Sequence, residues 1–222
     1  MLKISLALRD TSAWHEAGDL ARTTYAAVHA AKIQPDPDSF IVAVRQEEGG
    51  DPVMVGCAGC THVSDEPFFS ERYLDTTVEK AIAERTGTPV DRANVIEIGA
   101  LASVPGSGQE LVRLIPIISW CMGMEYILCT VTAPLRQSLR RAGIGFTVLG
   151  DADQDRLDPQ ERGSWGTYYD HLPQVGFIEL RKLADLFANA TGRYTFLEPM
   201  VELLTDTRAT APAQEAVSRA SR

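Results

Sequence analysis

The residues of this chain whose types and spacing suit chemistry concentrate at residues 94–111, where Asn-Val-Ile-Glu-Ile-Gly-Ala-Leu-Ala-Ser runs into Val-Pro-Gly-Ser-Gly-Gln-Glu-Leu. The pattern predicts a buried strand, a glycine-bearing loop and then a helix. Glu97 is the acidic side chain embedded in the apolar strand. Burial among apolar neighbours raises a carboxyl pKa, which suits a general base working near neutrality. The alternative is a carboxylate that emerges at a sheet edge and pairs with an arginine such as Arg92. Gly106, Ser107 and Gly108 stand where a helix N-terminus presents free amide N–H groups to phosphate or another anion. A plain turn between strand and helix carries the same short Gly-x-Gly.

Other charged and aromatic groups sit at suggestive spacings. Glu71 and Asp75 are four apart, so on a helix they share a face and can grip an ammonium group; as acids near a helix N-terminus they also complement its dipole. Arg136 and Arg140 are likewise one turn apart, beside Arg141, and offer phosphate or acidic-protein contacts or a solvated helix face. Tyr168 and Tyr169 follow Trp165 in a loop and can supply a phenolic acid or an aromatic packing cluster. His15, His29, His62 and His171 have no metal-site spacing, and no Ser-His-Asp pattern is visible. His171, after the two tyrosines, is read as structural. Cys57 and Cys60 form a CxxC inside a β-rich run, where residues three apart face opposite ways; no second pair completes a metal site. They, Cys121 and Cys129 are read as structural thiols, with no metal expected.

These groups must be positioned by elements that the pattern also predicts. Strands are expected over residues 3–9, 39–46, 52–63, 94–103, 125–132 and 174–180, with another starting at 146–149. Helices are expected over residues 13–31, 73–85, 110–124 (with Pro116 as an irregularity), 134–142, 182–190 and 198–204. Residues 151–165 read as a polar loop. The hairpin followed by βαβ units gives an α/β chain with a mixed, mostly antiparallel sheet flanked by helices on both faces. Residues 1–205 are expected to form one domain and 206–222 a disordered tail.

The chain has 222 residues and a formal net charge of -9. That balance argues against nonspecific nucleic-acid binding and against a basic membrane-surface protein. No run approaches the roughly 20 apolar residues of a membrane helix, so no stable membrane insertion is expected. The first residues alternate like a strand rather than forming a signal-peptide core, and a cytoplasmic location is the expectation. A homodimer is left open.

Four segments together carry a resemblance. They are Pro67-Phe68-Phe69-Ser70-Glu71-Arg72-Tyr73-Leu74-Asp75; Ile96-Glu97-Ile98-Gly99-Ala100-Leu101-Ala102; Thr130-Val131-Thr132 with Leu135-Arg136; and Trp165-Gly166-Thr167-Tyr168-Tyr169 followed by Pro173. In this order, over residues 60–180, they resemble the thermostable hemolysin family. That family is similar in turn to GNAT acyltransferases and to acyl-homoserine-lactone synthases. The resemblance implies a GNAT-like fold and transfer of an acyl group from a thioester to an amine.

In that frame the implied roles are specific. Glu97 deprotonates the amine, directly or through water, and Tyr168 or Tyr169 protonates the leaving thiolate. The backbone of Ala100, Leu101, Ala102 and Ser103 holds the donor and the oxyanion. Gly106, Ser107 and Gly108, with Arg136 and Arg140, hold phosphate. Glu71, Asp75, Thr130, Thr132 and Trp165 contact substrate. The donor is acyl-CoA or an acyl-carrier protein, the acceptor a small amine or amino acid, and no cofactor is held permanently. Ser103 stands where many GNAT enzymes have Gln or Arg, Leu139 where they often have Tyr, and Ala100 where the hemolysin-like pattern tends to have Asn. The competing readings are a lipid- or membrane-active protein without catalysis and a degenerate acyl-binding domain.

Overall fold

Apolar and β-branched runs at residues 40–43, 54–60, 95–98 and 126–129 are buried on both faces, which makes them central strands of a covered sheet. The computed structural model describes residues 2–46 and 49–190. The strands are β1 (Leu2–Leu8), β2 (Ser39–Arg45), β3 (Val53–Thr61), β4 (Val95–Ser103), β5 (Tyr126–Val131), β6 (Thr147–Asp151) and β7 (Gln174–Glu179). They form one sheet in the order β1-β2-β3-β4-β5-β7-β6. Every neighbouring pair is antiparallel except β4 and β5. The mixed, mostly antiparallel sheet that the sequence predicts is therefore the observed one.

Strand alternation sorts the core onto two faces. Phe40, Val42, Cys57 and Ala102 lie under α1 (Ser12–His29), whose Ala17 and Ala21 are buried against them. Small side chains let that helix sit close to the sheet. The Thr11 hydroxyl caps it by accepting the Trp14 amide at 3.2 Å. Ile41, Ala43, Ile96 and Ile98 face the opposite way, under α3 (Gly108–Cys121) and α4 (Ala133–Arg141), with α6 (Ala184–Ala190) at the margin. Cys57 and Cys60 belong to these two different cores, and burial pushes each thiol up to about 12. A third cluster joins β4, β5 and β7 to α2 (Val78–Thr86) through Tyr73, Val78, Ile82, Val95 and Leu128.

Three local expectations are corrected. The helix expected over residues 73–85 is a 3-10 turn, Phe69–Tyr73, followed by α2. Glu71 explains the break. Its carboxylate accepts the amides of Phe68 at 2.8 Å and Val78 at 2.7 Å, so the chain bends to let one acid cap both pieces. Residues 151–165 are not a plain loop: they hold α5 (Pro159–Arg162) and two 3-10 turns, with Ala152 and Leu157 in the core. Helix α3 begins at Gly108, so Gly108 is its first residue. The helix expected at 198–204, the tail at 206–222 and the boundary between residues 205 and 206 lie outside the described residues.

Two irregularities in β4 shape the middle of the sheet. Cys57 pairs with Ala102 and Gly59 with Gly99, so β4 spends two residues, Ala100 and Leu101, where β3 spends one. This is a β-bulge, and Ala100 occupies the left-handed region with φ 47°. In addition, β4 pairs with β5 only through Val95, Ile96 and Glu97. Beyond Glu97 the two strands part, while β4 stays on β3 up to Ser103 and β5 stays on β7 up to Val131.

Candidate active site

The parting of β4 from β5 opens a cavity of about 520 Å³ through the sheet. One wall is the freed stretch of β4, Ile98 to Ser103, and the other is Cys129, Thr130 and Val131 of β5 with Thr132 just beyond it. On the α3/α4 face the lining is mainly apolar, Val112, Ile115, Pro116, Leu135 and Leu139, with Gln109, Ser138 and Arg141 as its polar members. On the α1 face it is polar and aromatic: Thr24, Tyr25, His29 and Tyr168. Pro116 has no N–H to give the Val112 carbonyl, so α3 loses a backbone bond against the cavity.

Of the residues that the sequence nominates, Ala100, Leu101, Ala102, Ser103, Gly108, Thr130, Thr132 and Tyr168 meet around this cavity. Gly108 and Gln109, in the first turn of α3, also line it. A Cβ built on Gly108 would stand 2.6 Å from the Ser103 hydroxyl, so that serine lies directly over the helix start. Gly108→Ala is expected to lower stability by about 1 kcal/mol through this collision, and Ser103→Ala in the same chain should recover it. Thermal unfolding of the single and double variants checks this; equal loss in both would refute the contact. Gly106 has φ 87°, which the turn before α3 requires. The Ser107 hydroxyl faces the other way and accepts from Arg45 at 2.7 Å.

Several nominated residues are placed elsewhere. Glu71 does not face a ligand. Its side chain is 7% exposed and holds Arg92 through two bonds of 2.6 Å, besides its two backbone amides. Asp75 is not on a shared helical face with it; it is exposed and pairs with Arg156. Arg92 thus serves Glu71, and Glu79 at 3.0 Å, rather than Glu97. Neither Arg136 nor Arg140 lines the cavity; the arginine of α4 that does is Arg141. The Tyr169 hydroxyl is spent on Tyr73 at 2.6 Å, and Trp165 packs between Phe69 and Tyr168. Tyr168 lies at the cavity, its hydroxyl 3.4 Å from the Thr130 carbonyl. Burial, with Tyr25, Tyr169 and Cys129 adding, keeps this phenol protonated far above neutrality.

Glu97 lies on the α1 side of the sheet and is 6% exposed. Its two oxygens accept the amides of Phe69 and Ser70, each at 2.8 Å. Burial raises its pKa; the Ser70 hydroxyl and the two amides oppose this, and the Glu71 charge adds to it. The carboxyl does not itself line the cavity.

Two cavity residues escaped the sequence reading. Tyr25 and His29 are one turn apart at the end of α1, and both face Tyr168, at ring separations of 6.1 Å and 5.3 Å. The His29 Nδ1 is buried and has no hydrogen-bond partner among the described residues. Burial, and then His171 nearby, lower its pKa, which leaves a neutral imidazole at neutral pH. The spacing Tyr25, Val28, His29 was the available signal, since it marks one helical face. Burial, with Cys57 adding, pushes the Tyr25 phenol up to about 12.

A family model described as thermostable hemolysin matches residues 8–184. The chain belongs to the thermostable hemolysin family. No curated protein matches it. Among solved structures, this hemolysin-family chain is similar to FeeM, an N-acyl amino acid synthase from uncultured soil microbes, with a TM-score of 0.53 at 12% identity, over 86% of this chain and 98% of that one. It is similar to the acyl-homoserine-lactone synthase LasI, with a TM-score of 0.52 at 14% identity, over 85% and 95% of the two chains. The CoA-dependent acyl-homoserine lactone synthase MesI gives a TM-score of 0.52 at 15% identity, over 87% and 97%. At such identities the likeness establishes a shared GNAT-like fold.

Proposed function

We propose that this hemolysin-family protein is an N-acyltransferase. It moves a medium- or long-chain acyl group from a thioester, acyl-CoA or an acyl-carrier protein, to the amino group of a small amine or amino acid. The observation that carries this reading is the cavity through the parted β4 and β5, apolar on one face of the sheet and polar on the other. The structural neighbours add support, because they are acyl-homoserine-lactone and N-acyl amino acid synthases.

Aminolysis of a thioester makes three demands: the amine must lose a proton, the oxyanion must be stabilised and the thiolate must leave. The acyl chain lies against Val112, Ile115, Leu135 and Leu139. The thioester follows the freed edge of β4, whose unpaired amides meet the oxyanion. The donor's polar arm leaves past Ser103 and the start of α3, with Arg141 nearby. The amine sits among Thr24, Tyr25, His29 and Thr130. Glu97 is the base, and Tyr168, a neutral phenol at the cavity, donates to the leaving sulfur. The reaction as written needs no permanently bound cofactor.

The test is direct. Purified protein is offered hexanoyl to palmitoyl thioesters of CoA and of acyl-carrier protein, with butylamine and with free amino acids. The expected result is release of one thiol per amide formed, the amide identified by mass spectrometry. Absence of thiol release with every donor would overturn the reading. Donor binding without turnover would identify an acyl-binding domain instead.

A further inference from the structure

Glu97 presents a puzzle for any role as base: its carboxyl is buried and stands off the cavity, yet the amine must be deprotonated inside the cavity. Two hydroxyls bridge the gap. Ser70, 2% exposed, donates its backbone N–H to the Glu97 carboxylate at 2.8 Å, and its hydroxyl stands close enough to the same carboxylate to oppose the rise in its pKa. The Ser70 oxygen lies 2.9 Å from the Thr130 hydroxyl oxygen. Thr130 in turn lines the cavity. A serine has one hydroxyl proton, and an ionised Glu97 is the stronger acceptor for it. With that proton directed to Glu97, Thr130 is the donor in the Thr130–Ser70 bond, a contact in which either hydroxyl can donate. In that arrangement the Thr130 oxygen, whose residue lines the cavity, offers its lone pairs as the acceptor at the head of this chain of groups.

We infer that Thr130 and Ser70 form a proton relay that carries the amine proton from the cavity to Glu97. The inference rests on the acyltransferase reading above. As the N–C bond forms, the nitrogen becomes acidic and gives one proton to the Thr130 oxygen. Thr130 passes its own proton to Ser70, and Ser70 passes its own to Glu97, so three protons each move one bond. The C–S bond then breaks, and Tyr168 protonates the sulfur. The proton on Glu97 returns through the reversed chain to the Thr130 hydroxyl at the cavity and reaches Tyr168 through the water that refills the cavity once the thiol has left. Starting from an ammonium ion, the products are the amide, the thiol and one proton released to solvent. The geometry suits this direction of transfer because the negative charge of an ionised Glu97 orients the hydrogens of both hydroxyls toward it. Thr130 is the group that touches the amine, and Ser70 acts through it.

The alternative is that the Ser70–Thr130 bond only staples the Phe69–Tyr73 turn to β5. The two roles separate by experiment, with decanoyl-CoA and butylamine as probes and thermal unfolding measured for each variant. A relay predicts that Thr130→Val and Ser70→Ala lower kcat by about 10- to 100-fold with KM nearly unchanged, and that Thr130→Ser recovers most of the loss. It also predicts a curved dependence of kcat on the deuterium fraction of the solvent, as for several protons in flight, becoming linear in Thr130→Val. A Thr130→Val enzyme within twofold of wild type, in a background where Glu97→Gln is inactive, would overturn the relay and leave the acyltransferase reading standing. A rate loss that Thr130→Ser fails to recover, with a linear solvent dependence in the wild type, would also overturn it in favour of the staple. No thioester turnover by the wild type with any donor would overturn both.

Discussion

Glu97→Gln is expected to lower kcat by a factor of about 10² to 10⁴ while leaving donor binding unchanged. The substitution keeps the shape of the side chain and removes its capacity to take a proton. On the proposed reading the donor lies along the freed stretch of β4, the apolar wall and the start of α3, and Glu97 does not line that cavity. The loss should therefore appear in kcat and not in the dissociation constant of decanoyl-CoA. A kcat within tenfold of wild type would refute the assignment of the base. Titration gives a second readout. Burial is the largest influence on this carboxyl and raises its pKa, with Glu71 adding and Cys129 standing nearby. The acid limb of the wild-type kcat profile should lie above the ordinary carboxyl range and vanish in the residual activity of Glu97→Gln. Stability should move in a defined direction too. A carboxyl whose folded pKa is raised costs stability when ionised, and that cost is relieved as pH falls through the folded pKa toward the unfolded one. The wild type should thus gain stability relative to Glu97→Gln on acidification from neutrality to about pH 4.3, the ordinary value for a glutamate.

How far this site was legible can be read residue by residue. Glu97 was visible because Ile96 and Ile98 alternate around it, and alternation is a local property that a strand preserves. The same alternation placed Cys57 and Cys60 in different cores. The bulge at Ala100 was hidden, because alanine gives no signal of a left-handed backbone. The Glu71 and Asp75 pair misled for a physical reason. Their spacing fits a helical face, but a carboxylate that captures two amides and an arginine can break a helix in favour of its own hydrogen bonds. Arg136 and Arg140 were chosen by spacing, whereas the phase of α4 against the sheet turns Arg141 to the cavity. The meeting of Tyr25, His29 and Tyr168 joins the end of α1 to a distant loop, which local periodicity cannot encode. Their contact depends on Gly166, where a Cβ would stand 2.0 Å from the His29 carbonyl oxygen. A glycine in a loop signals close approach without saying to what.

Glu71→Gln is expected to be the most destabilising conservative substitution in the chain, by about 3 kcal/mol, or roughly 6–12 °C in Tm for a domain of this size. Each oxygen of Glu71 accepts one backbone amide and one guanidinium N–H, so all of its acceptor capacity is in use. A glutamine turns an NH₂ donor toward two of those four donors and leaves Arg92, three-quarters buried, without its bidentate partner. Burial alone would raise the Glu71 pKa; Arg92 and the amides of Val78 and Phe68 outweigh it and lower it. A carboxyl with a lowered folded pKa contributes stability that is complete above its unfolded pKa and is lost as pH falls through the folded one. The wild-type advantage over Glu71→Gln should therefore be full at neutral pH and shrink below about pH 4.3, opposite in sign to the Glu97 effect. In a double-mutant cycle, Arg92→Ala added to Glu71→Gln should cost much less than Arg92→Ala alone, because the arginine has already lost its partner. Additive losses would show that the pair is not coupled. The same pair connects stability to chemistry. Glu71 fixes the turn whose Phe69 and Ser70 amides hold Glu97, and its charge helps to raise the Glu97 pKa. In Glu71→Gln enzyme that stays folded at the assay temperature, the acid limb of kcat should move toward lower pH. An unmoved limb would mean that Glu97 is tuned by burial alone.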